Sequence, residues 1–307
     1  MKFTRFLLVF VIMLIYFLIP QTVFADEDTL VEDTKIELAA ATLTADPYAD
    51  KQWALSKIQS LPIYESIKGQ ESIVAVLDTG IDCGHEDLSG SILKSICFSD
   101  SLTTSDVNGH GTHISGLIAA HANNNVGIAG AAPNVKILNV KVAEDNGIVW
   151  SSNVARGIMW AVDNGAKVIN MSLAAPQKSA AMEQAVKYAW DKGVVLVAAA
   201  GNYVHGKTYP AAFPDVIAVA ALDQSDDLWA DSNDGDFVDA YAPGVGIYST
   251  LPTNSYGFNS GSSMAAAYIS AFASLAVSSA QDTNCNGFVN DEVVELIKSL
   301  FKKPLFK

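Results

Sequence analysis

Apolar residues along the chain fall into short consecutive runs separated by stretches of helical spacing. The runs are Ser72–Leu77, Val135–Val142, Lys167–Leu173, Val194–Ala200 and Val216–Ala220, each brief and rich in β-branched residues. Apolar positions that follow one another, rather than alternate, mark strands buried on both faces of a parallel sheet. Thr112–Ala122, Ser152–Asn164, Ala180–Lys192 and, further on, Ser262–Ser279 carry helical periodicity. Asn164-Gly165 and Lys192-Gly193 end two of these stretches in the way a left-handed C-terminal cap requires. The repeated strand–helix order predicts a three-layer α/β domain with a mostly parallel central sheet and helices on both faces. In open α/β sheets, sites form beyond the carboxyl ends of the strands, so the residues that follow each run matter most.

The N-terminal end reads differently. Two cations within the first six residues precede an apolar run from Leu7 to Pro20, and the stretch closes on Val23-Phe24-Ala25. This is the pattern of a secretory signal over residues 1–25, cleaved after Ala25, which places the mature chain outside the cell or on its surface. The competing reading is an uncleaved anchor, for which the run is slightly short; after cleavage no stable membrane partner is expected. Residues 26–45 are acidic and lack aromatics, and read as a flexible extension or short pro-segment too small for a folded pro-domain. Residues 46–307 have the composition of one large domain. The full chain of 307 residues is 50% apolar, enough for a sizeable core. Nineteen Lys+Arg against 33 Asp+Glu give a formal charge of −14, which repels phosphate backbones and argues against nucleic acid as a partner. The three cysteines, Cys83, Cys97 and Cys285, are too few for a disulfide scaffold, and sequence leaves a Cys83–Cys97 pair open.

Three segments carry candidate chemistry. In Phe258–Tyr268 a small-residue turn runs into the last long apolar helix. A serine there meets unpaired backbone N–H groups and the positive end of the helix dipole, which suits a nucleophile, although Ser260, Ser262 and Ser263 could also serve only as caps. Asp78 directly follows a wholly apolar strand, so its carboxylate is partly buried and needs a partner; an isolated Asp-Thr-Gly could equally be a plain turn. In Asn108-Gly-His-Gly-Thr-His113, glycines on both sides of His110 clear space around the ring, and His113 follows one helical turn later. That pair could be half of a metal site, but His85, His121 and His205 are scattered, and a general base at His110 with His113 packed beneath it fits better. Asp282–Asn290 begins like a calcium-binding loop, yet Val293 stands where the twelfth-position Glu is wanted, so the segment reads as a linker capped by Asn290 before a last helix.

In chain order, Val74–Gly80, His110–Gly116 and Gly261–Ala265 each resemble the corresponding motif of the subtilisin-like serine peptidases, the subtilases; Val168–Leu173 and Ala198–Asn202 agree as well. The resemblance spans residues 46–300 and implies an endopeptidase that hydrolyses peptide bonds in protein or peptide substrates. Ser263 would attack the carbonyl, His110 would carry its proton, Asp78 would hold the imidazole, and Asn202 with the Ser263 N–H would receive the oxyanion. The substrate would lie as an added strand between Gly147 and Ile148 on one side and Ser172, Leu173 and Ala174 on the other. The loop Ala122–Ile128 resembles the family's main calcium loop, implying a structural calcium held by Asp87, Asn124 and the carbonyls of Ala122, Val126 and Ile128, with Asp46 or Gln52 outside. Where the family commonly has glycine, this chain has Val149, Ala174, Ala175 and Ala211, and Ala267 replaces a usual proline, which implies narrowed pockets and restricted cleavage. Two other readings remain at this level. One is a dedicated peptidase maturing a single exported precursor, such as a lantibiotic or bacteriocin leader; the other is a non-catalytic binding protein of the same fold, against which the intact Asp78, His110, Ser263 and Asn202 speak.

Overall fold

Seven parallel strands form the centre of the computed structural model, which describes residues 45–61, 64, 72–203 and 206–302. The expected signal segment, and all of the acidic extension but its last residue, lie outside the described residues. The strands are β1 (Ile73–Asp78), β2 (Ile92–Cys97), β3 (Lys136–Lys141), β4 (Val168–Met171), β5 (Val195–Ala199), β6 (Ile217–Leu222) and β7 (Ala240–Pro243). Their order across the sheet is β2-β3-β1-β4-β5-β6-β7, and every neighbouring pair runs parallel.

Alternation along each strand divides the core into two layers. Val74 and Val76 face one side, where they pack with α1 (Trp53–Gln59), α2 (His110–Ala119), α5 (Ser262–Val277) and α6 (Asn290–Leu300). Ala75 and Leu77 face the other, against α3 (Ser151–Asp163) and α4 (Ala180–Trp190). The three-layer α/β architecture expected from the pattern is therefore the one observed. Helices α3 and α4 stop where Asn164-Gly165 and Lys192-Gly193 predict. Gly165 and Gly193 lie at φ 87° and 74°, and the paired bonds Ala166 N–H to Ala161 O and Val194 N–H to Ala189 O complete the left-handed caps.

Helix α5 is buried nearly all round. From Ser262 to Ala276 every residue is buried except Ser263. Two of its buried hydroxyls have protein partners, Ser270 Oγ donating to Asn170 Oδ1 and Ser274 Oγ to Ala271 O. The helix runs through the core and surfaces at its first turn, which fixes Ser263 at the carboxyl edge of the sheet.

The apolar pattern misses β2, β7 and the antiparallel hairpin β8 (Ile247–Leu251) with β9 (Ser255–Asn259). Strand β2 is an edge strand and largely exposed, so Lys94 and Ser95 interrupt its apolar positions. The hairpin turns through Thr253 and Asn254, both with left-handed backbone, without the Asn-Gly signal that usually betrays such a turn. Asn290 does not cap the last helix. It is the first residue of α6 and donates its side-chain amide to Trp190 O, while Glu292 reaches back to Thr283 and Asn284. Cys83, Cys97 and Cys285 are all free thiols, and none of the described helices is long and apolar enough to cross a membrane.

The helix that carries His110 lies tight against β8. A Cβ on Gly116 would come within 2.2 Å of Thr250 Oγ1 and 2.5 Å of Ser249 Oγ, and both hydroxyls are engaged on carbonyls of α2, Thr112 O and His113 O. Gly116→Ala is therefore expected to lower stability by about 1–3 kcal/mol, as overpacking does, read as an earlier midpoint in urea unfolding with an unchanged slope.

Candidate active site

Strand β1 delivers Asp78 to the carboxyl edge with only 4% of its surface exposed. A carboxylate so placed needs donors, and Asp78 Oδ1 finds two at 2.7 Å, His110 Nδ1 and the Thr79 N–H. His110 opens α2, two residues earlier than the sequence pattern suggests, after Gly109 at φ 102°. The glycine that follows it is needed for close approach, since a Cβ on Gly111 would lie 2.1 Å from Gly80 O and 3.2 Å from Asp78 Oδ1. A second buried carboxylate holds the turn in place. Asp106 accepts from Asn108 N, Gly109 N, Thr112 N, Thr112 Oγ1 and Thr79 Oγ1, all at 2.7–3.0 Å.

The two neighbouring imidazoles are driven apart electrostatically. Burial disfavours the charged form of His110, but the Asp78 carboxylate and its hydrogen bond outweigh it with help from Asp106, and the pKa rises above the ordinary value. His113 is fully buried beneath it and is pushed down to about 4 by burial first and by the His110 charge second. Its Nε2 lies 3.3 Å from Gly257 O. One ring thus stands 28% exposed at a cleft with its basicity raised, and the other is packed beneath it, the placement expected from their spacing.

Ser263 stands in the first turn of α5, reached through strand β4. Its Oγ donates to Ser172 O at 3.3 Å while Ser172 Oγ donates back to Ser263 O at 2.9 Å. Asn170 braces the pair by donating to Ser172 Oγ. From the end of β5, Asn202 reaches the same turn, its Oδ1 accepting from the Ser262 N–H at 3.0 Å. The other end of that amide lies over Gly261, where a Cβ would stand 3.1 Å from Nδ2. Four elements, β1, α2, β5 and α5, therefore bring Asp78, His110, Asn202 and Ser263 to one edge of the sheet.

Beside His110 opens a cavity of about 330 Å³ whose walls include Asp78, Gly147, Val149, Ser172, Leu173, Ala174 and Ala175. Of the expected substrate-contacting residues, Gly147, Ser172, Leu173 and Ala174 thus border one space. Ile148 stands outside it, 53% exposed, with its carbonyl accepting from Glu144 N and its N–H donating to Asn146 Oδ1. Ala211 is 1% exposed and packs in the core with Phe213 and Met182. Sequence reasoning did not single out Asp106, whose only signal is an acid four residues before a histidine, or Met182 from α4, which also lines the cavity.

The loop Ala122–Ile128 folds around two buried carboxylates. Asp46 accepts from the N–H groups of Asn123, Asn124 and Asn125; Asp87 accepts from Asn124 Nδ2 and Ile128 N at 3.0 and 2.8 Å. Asn124 Oδ1 accepts from Val126 N. Gln52 spends both ends of its amide on Ala129. Burial pushes the Asp87 pKa up against the pull of the Ile128 and Asn124 donors, and the Asp46 charge adds to the rise. Among the described residues no group of three or more His, Cys, Asp or Glu is clustered as a metal site.

Comparison with known proteins points to one family. The subtilase family model matches residues 69–300. A thermophilic serine proteinase of Bacillus sp. (strain AK1) is 45% identical over 233 residues, 75% of this chain and 56% of that protein. Thermitase of Thermoactinomyces vulgaris is 43% identical over 236 residues, 76% of this chain and 85% of that protein. Among solved structures, a protease from Pseudoalteromonas arctica superposes with a TM-score of 0.75 at 29% identity, covering 84% of this chain and 92% of that one. The match thus spans little more than half of the Bacillus proteinase.

The histidine pair makes stability depend on pH. An unfolded histidine keeps its ordinary value of 6.5 while His113 in the folded chain sits near 4, so between those values the unfolded state binds the extra proton and acid destabilises the fold. His110 acts in the opposite sense, its raised value favouring the fold in acid. Relative to His113→Leu, the parent protein should lose about 3 kcal/mol of unfolding free energy as pH falls from above 6.5 to 4, measured by denaturant titration of both proteins across that range.

Proposed function

The chain belongs to the subtilase family, and we propose that it is a secreted serine endopeptidase that cleaves proteins or peptides through an acyl-enzyme. The observation that carries the reading is the Asp78–His110 hydrogen bond at 2.7 Å, on the same cavity as Ser172, whose carbonyl accepts from Ser263 Oγ. In this reading His110, made more basic by Asp78, takes the proton of Ser263, which attacks the peptide carbonyl, and returns it to the leaving amine. Asn202 Nδ2 and the Ser263 N–H receive the oxyanion. The Asn202 amide is already oriented for this, because its oxygen is committed to Ser262 N–H. The peptide lies along the cavity edge formed by Gly147 and by Ser172, Leu173 and Ala174. The methyl and isopropyl groups of Ala174, Ala175 and Val149 in the wall favour a small or medium side chain before the cleaved bond. Secretion rests on the charge and hydropathy pattern of residues 1–25.

A structural calcium fits the Ala122–Ile128 loop. The carbonyls of Ala122, Val126 and Ile128 accept none of the backbone bonds recorded among the described residues, and the desolvated Asp87 carries a charge penalty that a divalent cation would relieve. Asp87, the oxygen of Asn124 and the three carbonyls would hold the ion, with the Asp46 charge nearby. Bound there, calcium supplies rigidity and no chemistry.

Ser263→Ala should leave the unfolding midpoint within error of the parent and abolish both peptide hydrolysis and covalent labelling by a fluorophosphonate. Asn202→Ala should cut turnover by on the order of 10²–10³, the magnitude known for the equivalent donor of subtilisin itself and carried over from it. Residual hydrolysis in purified Ser263→Ala would remove the assignment. Separately, tight chelation should lower the melting temperature, by about 2–4 °C for each kcal/mol of binding lost. An unchanged melting curve together with no calcium by elemental analysis would eliminate the ion.

A further inference from the structure

Lys141, the last residue of β3, is wholly buried and has no part in the chemistry above. It pairs in register with Asp78 on one side and Cys97 on the other. Taking an ammonium out of water costs several kcal/mol unless its protons are all matched, and here all three are. They go to Thr79 O at 2.8 Å, Ser105 O at 3.0 Å and Asp145 Oδ1 at 2.6 Å.

Each acceptor adjoins a different part of the site. Thr79 follows Asp78 in the chain; its N–H binds Asp78 Oδ1, and its hydroxyl donates to Asp106 and accepts from Gly111 N. Ser105 precedes Asp106, whose carboxylate holds the turn that presents His110. Asp145 belongs to the turn that runs from Glu144 to Ile148 and closes through the Ala143–Val149 bridge, at the rim of the cavity beside His110. Half exposed, Asp145 takes a further bond from Ser101 Oγ. A neutral side chain at position 141 could not bind two carbonyls and a carboxylate at once.

We propose that Lys141 is a positioning residue whose ammonium ties the backbone beside Asp78, the backbone beside Asp106 and the cleft-rim carboxylate of Asp145 into one rigid unit. The Asp78–His110 pair then keeps a fixed relation to the rim on which the peptide lies. Without the tie, the carbonyls of Thr79 and Ser105 are freed and both halves of the pair gain play. Misplacement of about 1 Å at a reacting group can cost on the order of 10²-fold in rate.

The inference rests on the peptidase reading, and the experiment separates the two. The rate of fluorophosphonate labelling at Ser263 and the kcat and KM for a peptide long enough to lie along the rim are measured for the parent, Lys141→Met and Asp145→Asn, each shown to be folded at the assay temperature. No labelling of the parent overturns the peptidase reading itself. With the parent reactive, folded Lys141→Met should label about tenfold more slowly and lose kcat to a similar degree. Asp145→Asn, which leaves both carbonyl bonds in place, should chiefly raise KM and slow labelling less. A folded Lys141→Met that labels at the parent rate overturns the proposal, because a purely structural lysine would lower stability without altering the reactivity of the folded fraction. Should Lys141→Met fail to fold, Asp145→Asn decides alone, and an unchanged KM for the long peptide overturns the tie to the rim.

Discussion

A carboxylate at the end of a strand buried on both faces must be neutralised or hydrogen-bonded, and much of this site exists to meet that demand at Asp78. The strand cannot retreat, because Val74 through Leu77 are fully buried between the two helical layers. Partners must therefore come to the carboxylate. The ring of His110 arrives from the first turn of α2, and the Thr79 amide arrives from the chain itself. The turn before His110 is held in turn by Asp106. The hydrogen bond that holds Asp78 in place also makes His110 more basic, so the fold's requirement and the proposed proton transfer draw on one contact.

Helix α5 faces the converse problem. It is apolar almost throughout and would be costly to expose, so it passes through the core beneath the sheet and emerges only at its N-terminal turn. That turn is where unpaired N–H groups collect and where Ser263 and the Asn202 amide meet. Packing thus determines which serine of the Ser262-Ser263 pair is reachable. Ser262 is fully buried and its hydroxyl accepts from Gly201 N, whereas Ser263 is only partly buried.

Most of the acidic groups around the site are matched by donors. Asp106 is saturated by five donors, and half-exposed Asp145 accepts from a buried lysine, whose hydrogen bond holds the Asp145 pKa below the usual carboxylate range. Asp46 is wrapped by three consecutive amides. Asp87 is the exception among these, since the loss of water around it outweighs the donors it has. That residual imbalance is the physical argument for a cation in the loop.

Much of this was legible in the chain because it depends on local order. Consecutive β-branched runs read as strands buried on both faces, Gly165 and Gly193 read as helix ends, and a small-residue turn before a wholly apolar helix reads as its N-terminus. Asp78, His110 and Ser263 were visible for the same reason, each being tied to the end of an element. The edge strand β2 and the hairpin β8–β9 escaped because exposure removes the apolar pattern, and α2 begins two residues before its apolar face does. Which partner each polar group takes was not local at all. Lys141 reads in sequence as an ordinary strand residue, and only the parallel register that sets it beside Asp78, with residues 79, 105 and 145 folded over it, turns it into a buried three-way clamp. Local spacing fixes the periodicity of elements, but hydrogen-bond satisfaction in the interior is settled between segments far apart in the chain, and that is decided only when the sheet and its loops are assembled.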